Sequence, residues 1–117
     1  MAKIMIVDDD QNIVTYLTDI FTDNGYETCT ASDGSEALEV VKTEKPDLIT
    51  LDIEMPDEWG PRFYRKLSQD PEFKRIPVVV VSGLAGNKYA IPKAVASLTK
   101  PFDPAELLGI VKEVLGE

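Results

Sequence analysis

The chain contains no histidine. That absence excludes Ser-His-Asp and Cys-His catalysis, the commonest general base and most zinc sites. Cysteine occurs once, at Cys29, so no internal disulfide can form, as expected in a reducing compartment. Basic residues are scarce, 12 against 21 acidic ones, for a net charge of −9. A chain of that sign repels phosphate backbones and anionic lipid, which argues against nucleic acid and membrane surfaces as partners. Long apolar runs are missing too. The longest, Val78 to Val81 with Ile76 and Pro77 before it, falls far short of the roughly 20 residues a membrane span needs. Ile4-Met5-Ile6-Val7 runs straight into Asp8-Asp9-Asp10, too short and too acidic afterwards for a signal peptide. No linker, repeat or low-complexity segment interrupts the chain, and the expectation is a cytoplasmic protein.

What remains is enough for one domain. The 117 residues, 44% hydrophobic and 28% charged, suit a single ordinary core. Short apolar runs alternate with amphipathic ones. Ile4 to Val7 reads as a strand buried on both faces, and residues 12–23 place Ile13, Val14, Leu17, Ile20 and Phe21 at helical spacing before an Asn24-Gly25 stop. Glu27 to Thr30 is a half-polar strand, expected at an edge. Ser35 is placed to cap a helix carrying Ala37, Leu38, Val40 and Val41 that ends before Pro46. Asp47 to Leu51 forms a third strand, and Gly60-Pro61 opens a third helix with Phe63, Tyr64 and Leu67. Pro77 to Val81 is a valine-rich fourth strand and Ala94 to Leu98 a short fifth. Asp103-Pro104-Ala105-Glu106 then starts a last helix bearing Leu107, Leu108, Ile110, Val111 and Val114. Strands alternating with helices predict an α/β fold, a parallel sheet covered on both faces.

The unusual polar residues cluster at strand ends. Asp8 and Asp9 follow the first strand, Asp52 the third, Ser82 the fourth, and Lys100 lies just beyond the fifth. Doubly wound sheets bind ligands at the carboxyl ends of their strands, where the strand order reverses. Periodicity does not choose that order, but the known order 2-1-3-4-5 would gather these groups at one edge. Three carboxylates there repel one another, and a hard divalent cation such as Mg2+ offsets the repulsion. With Lys100 as a mobile positive charge, the set suits a phosphoryl group, and Asp52 suits a nucleophile that forms an aspartyl phosphate.

Val7-Asp8-Asp9-Asp10, Asp52-Ile53-Glu54-Met55-Pro56 with Gly60, Val81-Ser82-Gly83 and Thr99-Lys100-Pro101-Phe102 together resemble the receiver domain of bacterial response regulators, of the single-domain chemotaxis-regulator kind. The resemblance runs from Lys3 to about Leu115. It implies a five-stranded flavodoxin-like sheet in the order 2-1-3-4-5 and one receiver domain over residues 1–117. It implies that Asp52 is the phosphoacceptor and that Mg2+ is held by Asp9, Asp52 and the backbone carbonyl of Glu54, with Asp8 nearby or acting through water. Ser82 matches the switch hydroxyl, supported by the backbone N–H of Gly83, and Lys100 matches the phosphoryl contact. The Lys100-Pro101 peptide is expected to be cis, and the donor to be a histidine kinase or phosphotransfer protein. That donor supplies the histidine this chain lacks.

Simpler readings stand beside these. Asp10 is the plainest helix cap, Asp57 and Glu58 are solvated loop charges, and Arg62, Arg65 and Lys66 form a solvated helix face. The chain also departs from the receiver pattern. Ser97 stands three residues before Lys100, where many receivers carry a switching aromatic, and Tyr89 is only a speculative substitute. The Ser82-to-Lys100 interval is short and holds Gly83, Gly86, Asn87 and Pro92, so a short or irregular fourth helix is predicted, with a remodelled partner face. Glu54 would lie near the path of a hydrolytic water. A start at Met1 fits a natural N-terminus and a stand-alone receiver switching a downstream protein. Two alternatives remain: a non-switching pseudo-receiver, and a Mg2+-dependent phosphohydrolase with an aspartyl nucleophile.

Overall fold

The computed structural model describes residues 2–53, 59–83 and 94–116. Three strands are buried along nearly their whole length: β1 (Lys3–Val7), β3 (Leu48–Leu51) and β4 (Val78–Ser82). Their apolar residues run without alternation because helices cover both faces and leave no solvent side. The half-polar strands β2 (Glu27–Ala31) and β5 (Ala96–Thr99) take the two edges. All pairings are parallel, in the order β2-β1-β3-β4-β5.

Four helices among the described residues close the two layers: α1 (Gln11–Asp23), α2 (Gly34–Glu44), α3 (Trp59–Gln69) and α4 (Pro104–Leu115). Successive strand residues point to opposite faces, which divides the core in two. Ile4, Ile6, Leu48, Val79 and Val81 pack against Val14, Leu17 and Phe21 of α1 and Leu107 and Val111 of α4. Met5, Val7, Ile49, Leu51, Val78 and Val80 pack against Ala37 and Val41 of α2 and Phe63 and Leu67 of α3. Phe63 is thus a core residue, with Tyr64 partly buried beside it.

Side-chain oxygens satisfy the free N–H groups at helix starts. Asp10 accepts from the Asn12 N–H at 2.9 Å and Asp103 from the Ala105 N–H at 2.9 Å, as expected of both. The expected cap of α2 is corrected: Asp33, not Ser35, accepts from the Glu36 N–H at 2.8 Å. Glu36 in turn accepts from the Ser32 N–H at 2.8 Å, a reciprocal closure that favours starting the helix two residues earlier. α1 ends at Asn24, and Gly25 turns the chain at a φ of +88°, a conformation in which only glycine is unstrained.

Two further boundaries move. β5 begins two residues later than expected and reaches Thr99, in register with β4 from Val79↔Ala96 to Ser82↔Thr99. α3 begins at Trp59 and holds Pro61 in its first turn, where a missing N–H leaves no intrahelical bond unmade. The predicted irregular fourth helix, Tyr89 and Glu54 lie outside the described residues.

Candidate functional site

The sheet register brings the acidic residues together. β1 runs to β2 on one side and pairs with β3 on the other, so strand order reverses between β1 and β3. Val7 is in register with Leu51, which places Asp8 and Asp52 side by side at the carboxyl ends. Backbone bonds fix each position. The Asp52 N–H donates to the Val7 carbonyl at 2.9 Å, and the Asp8 N–H to the Ala31 carbonyl at 3.1 Å. On the far side, the Lys100 N–H donates to the Ser82 carbonyl at 2.9 Å. The Lys100-Pro101 peptide is cis.

Asp8 and Asp52 are buried, 2% and 4% exposed, while Asp9 faces solvent. Carboxylate oxygens of Asp8, Asp9 and Asp52 all lie within 4.8 Å of one another. Lys100 reaches in from β5. Its Nζ donates to Asp8 Oδ2 at 2.7 Å and stands 3.5 Å from Asp52 Oδ2. The second Asp8 oxygen, Oδ1, accepts the Asp10 N–H at 2.9 Å.

These contacts set the ionisation of the cluster. Burial pushes the Asp8 carboxyl above its ordinary value, and the charge of Asp52 adds to this. The bond from Lys100 and the Asp10 N–H pull the other way without cancelling it. For Lys100, burial lowers the ammonium's pKa, but the bond to Asp8 and the charge of Asp52 more than offset that. The ammonium is held above the usual lysine value and is fully charged at neutral pH.

Ser82 ends β4, the strand beside that of Asp52, and is fully buried; Gly83 follows it at the surface. Ser97, at the position expected to lack an aromatic switch, is half-buried in β5. Arg62, Arg65 and Lys66 are exposed on α3. The structure therefore brings Asp8, Asp9, Asp52 and Lys100 into one cluster and sets Ser82 and Gly83 on the adjoining strand end.

Sequence reading missed two features. Lys100 bonds most closely to Asp8, a choice between two acids that no motif encodes. Gly60 does more than open a helix. A Cβ there would lie 2.5 Å from Ile53 Cα and 3.0 Å from the Asp52 carbonyl oxygen, so α3 seats directly against the backbone that carries Asp52. Its signal was a glycine inside a helical pattern, the usual mark of close packing.

The donors are oxygens, three of them carboxylates, with one ammonium among them. That set fits a hard divalent cation and an anionic group that needs positive charge on two sides.

Fold and site define a doubly wound, flavodoxin-like α/β protein with a lysine-bridged acidic cluster at its switch point. Residues 4–112 match the response regulator receiver domain family, and the chain belongs to that family. It is 40% identical to the protein Rrf1 of Nitratidesulfovibrio vulgaris, over 97% of this chain and 83% of that one. It is 31% identical to the polar-differentiation response regulator DivK of Brucella anthropi, over 98% of this chain and 97% of that one. Among solved structures, a putative response regulator from Chloroflexus aurantiacus superposes with a TM-score of 0.91 at 31% identity, covering 99% of this chain and 98% of that one. The resemblance read from the four motifs is thereby borne out for family and fold. No helix among the described residues is long and apolar enough to cross a membrane.

Proposed function

We propose that this receiver accepts a phosphoryl group on Asp52 from the phosphohistidine of a histidine kinase or phosphotransfer protein, and that the modified protein engages a downstream protein partner. The observation that carries the reading is the position of Asp52, buried, with its carboxylate within 4.8 Å of those of Asp8 and Asp9 and 3.5 Å from the Lys100 ammonium. A lone buried carboxylate would be a poor nucleophile toward an anionic phosphoryl group. One paired with the Lys100 ammonium, and with a divalent cation to offset the neighbouring acids, is a competent one.

The carboxylates of Asp8, Asp9 and Asp52 fit Mg2+; Asp9 and Asp52 would hold it, with Asp8 beside them, and the family resemblance would add the backbone carbonyl of Glu54. When bound, Mg2+ neutralises the carboxylates and the transferring phosphoryl oxygens. The chain's own groups do the rest. An Asp52 oxygen forms the O–P bond as the donor's N–P bond breaks, and the imidazole nitrogen leaves with the electron pair. Lys100 takes up charge on the phosphoryl oxygens. The Ser82 hydroxyl and the Gly83 N–H are the remaining donors, and the hydroxyl reports the modification to the surface. Slow loss of the phosphoryl group to water resets the switch, so the protein is a phosphoacceptor rather than a metabolic enzyme. With a net charge of −9, its partners are proteins rather than nucleic acid or membrane surfaces.

Intact mass after incubation with a small-molecule phosphodonor and Mg2+ tests this. One phosphoryl group is gained by the wild type, and none by Asp52→Asn or by wild type without Mg2+. Absence of any gain, with a stable acyl-phosphate mimic such as beryllofluoride also failing to bind, would leave a non-switching interaction module instead.

A further inference from the structure

The charges of this chain are sorted along its length. Residues 4–41 carry nine of the 21 acidic residues and no basic one, and all of those nine but Asp8 are exposed. Residues 62–75 carry five of the 12 basic residues against two acids, and all five are exposed. The two acids have partners of their own: the Asp70 carboxylate accepts the Glu72 N–H at 2.8 Å, and Glu72 pairs with Lys45 at 3.4 Å. A chain of net charge −9 therefore presents a positive surface at α3 and the turn after it.

Helix geometry arranges both sets, because residues three and four apart share a face. Arg62, Arg65 and Lys66 make an exposed stripe on α3, and Tyr16, Asp19 and Asp23 make one on α1. Tyr16 is 46% exposed, a large ring left open beside that of Phe102, with 5.9 Å between their centres. Guanidinium groups pair with carboxylates and stack on aromatic faces, and the α1 stripe offers both. Within one molecule the stripes lie apart: α1 packs in the core layer of α4, and α3 in the opposite layer with α2. Net charge does not keep two copies from joining them. Salt limits electrostatic reach to about 8 Å under physiological conditions, against a molecule of 31 × 30 × 24 Å, so the charges at a contact outweigh the distant ones.

We infer that α3 of one copy docks on α1 of a second copy, with Arg62, Arg65 and Lys66 set against Tyr16, Asp19 and Asp23. The contact is head-to-tail. The two stripes lie on opposite faces of one sheet, so a joined pair keeps one stripe of each kind open, and further copies add at the ends. The inference is independent of phosphoryl transfer, since no group of the acidic cluster takes part.

Sedimentation velocity over a range of protein concentrations tests this, on the wild type, Arg65→Glu/Lys66→Glu and Asp19→Lys/Asp23→Lys. The wild type should pass beyond a dimer as concentration rises. Its association constant should fall about tenfold or more between about 0.1 M and about 1 M salt, where screening shortens to about 3 Å. Each reversed variant sets like charges against like and should stay monomeric on its own. Mixed in equal amounts, the two variants should associate again, because every contact between them then joins opposite signs. Failure of the mixture to associate would overturn the pairing of these stripes, and so would association of either variant alone. A wild type that stays monomeric, or stops at a dimer, also overturns it. Binding of a polyglutamate peptide to such a monomer, lost in Arg65→Glu/Lys66→Glu, would assign α3 to a foreign acidic protein instead. Circular dichroism reports whether the variants fold. Should a reversed variant not fold, the neutral Arg65→Gln/Lys66→Gln or Asp19→Asn/Asp23→Asn replaces it, and an association constant within twofold of the wild type would count against the contact.

Discussion

Thr50 puts a hydroxyl where nothing receives it. It sits in β3 two residues before Asp52, 1% exposed, and its Oγ1 has no hydrogen-bond partner among the described residues. An unbonded buried donor forfeits its hydration without return, so Thr50→Val should raise stability by roughly 1 kcal/mol in urea unfolding. A loss of that size would instead mean that the hydroxyl is bonded, for example to an internal water. Cys29 is the other residue whose surroundings set a measurable property. Burial pushes its thiol from 9.0 up to about 11, with the charge of Glu44 adding and Lys3 opposing. Between those two values the unfolded chain loses the proton while the native chain keeps it. The native state then holds more protons, and the contribution of Cys29 to stability falls as pH rises through that window. Alkylation of the folded protein by iodoacetamide should reach half its maximal rate near pH 11; a midpoint near pH 9 would contradict the burial. At this scale the sequence was informative wherever a polar residue broke an apolar run, as at Asp8, Asp52 and Ser82. It was silent on Thr50, because a threonine in a strand looks the same whether its hydroxyl is bonded or not.

Among the elements, α3 has the tightest link to chemistry. Its second residue, Gly60, lies against the backbone of Ile53 and Asp52 with no room for a methyl group, so the helix start and the two residues that follow β3 are a single packed unit. Gly60→Ala must push one away from the other. Overpacking of this kind typically costs about 1–3 kcal/mol. The expected result is a lower urea midpoint together with slower phosphoryl uptake measured by mass, whereas a uniformly destabilised protein that still folds would lose only the first. The elements were largely legible. Short apolar runs located the central strands and a 3.6 period the helices described above, and Asp10 and Asp103 read correctly as caps. The misplacements have local causes. At α2 a serine was preferred to Asp33 because the bond from Glu36 back to Ser32 depends on a turn that residue types alone do not display. At β5 the strand moved toward Thr99 because pairing with β4, rather than side-chain polarity, decides where an edge strand ends.

For the whole molecule the dominant fact is charge. A net −9, with three acids converging at one end of the sheet, leads to the expectation, under the proposed function, that a divalent cation binds the native state in preference to the unfolded chain. At a Mg2+ concentration one hundred times the dissociation constant, linkage gives about 2.7 kcal/mol of added stability. Urea midpoints compared with and without Mg2+, at matched ionic strength, should show this gain, and Asp9→Asn should lose most of it. Equal midpoints in the wild type would remove the cation site, and an undiminished gain in Asp9→Asn would remove Asp9 as a ligand. The sheet order was read from a family likeness and not from periodicity, since the three buried strands show the same apolar pattern in any order.

That order also has a bearing on how the protein is made. Asp8 and Lys100, bonded in the finished molecule, lie 92 positions apart in the chain. Domains begin to fold from the N-terminus during translation. A nascent chain thus holds all three acids well before the ribosome releases the lysine that balances them, and the β4 edge on which that lysine is mounted stays bare until β5 arrives. Until then the acids crowd one another with no internal counter-charge. A half-made copy, having no Lys100, would lack both the ammonium bonded to Asp8 and the strand that pairs with β4.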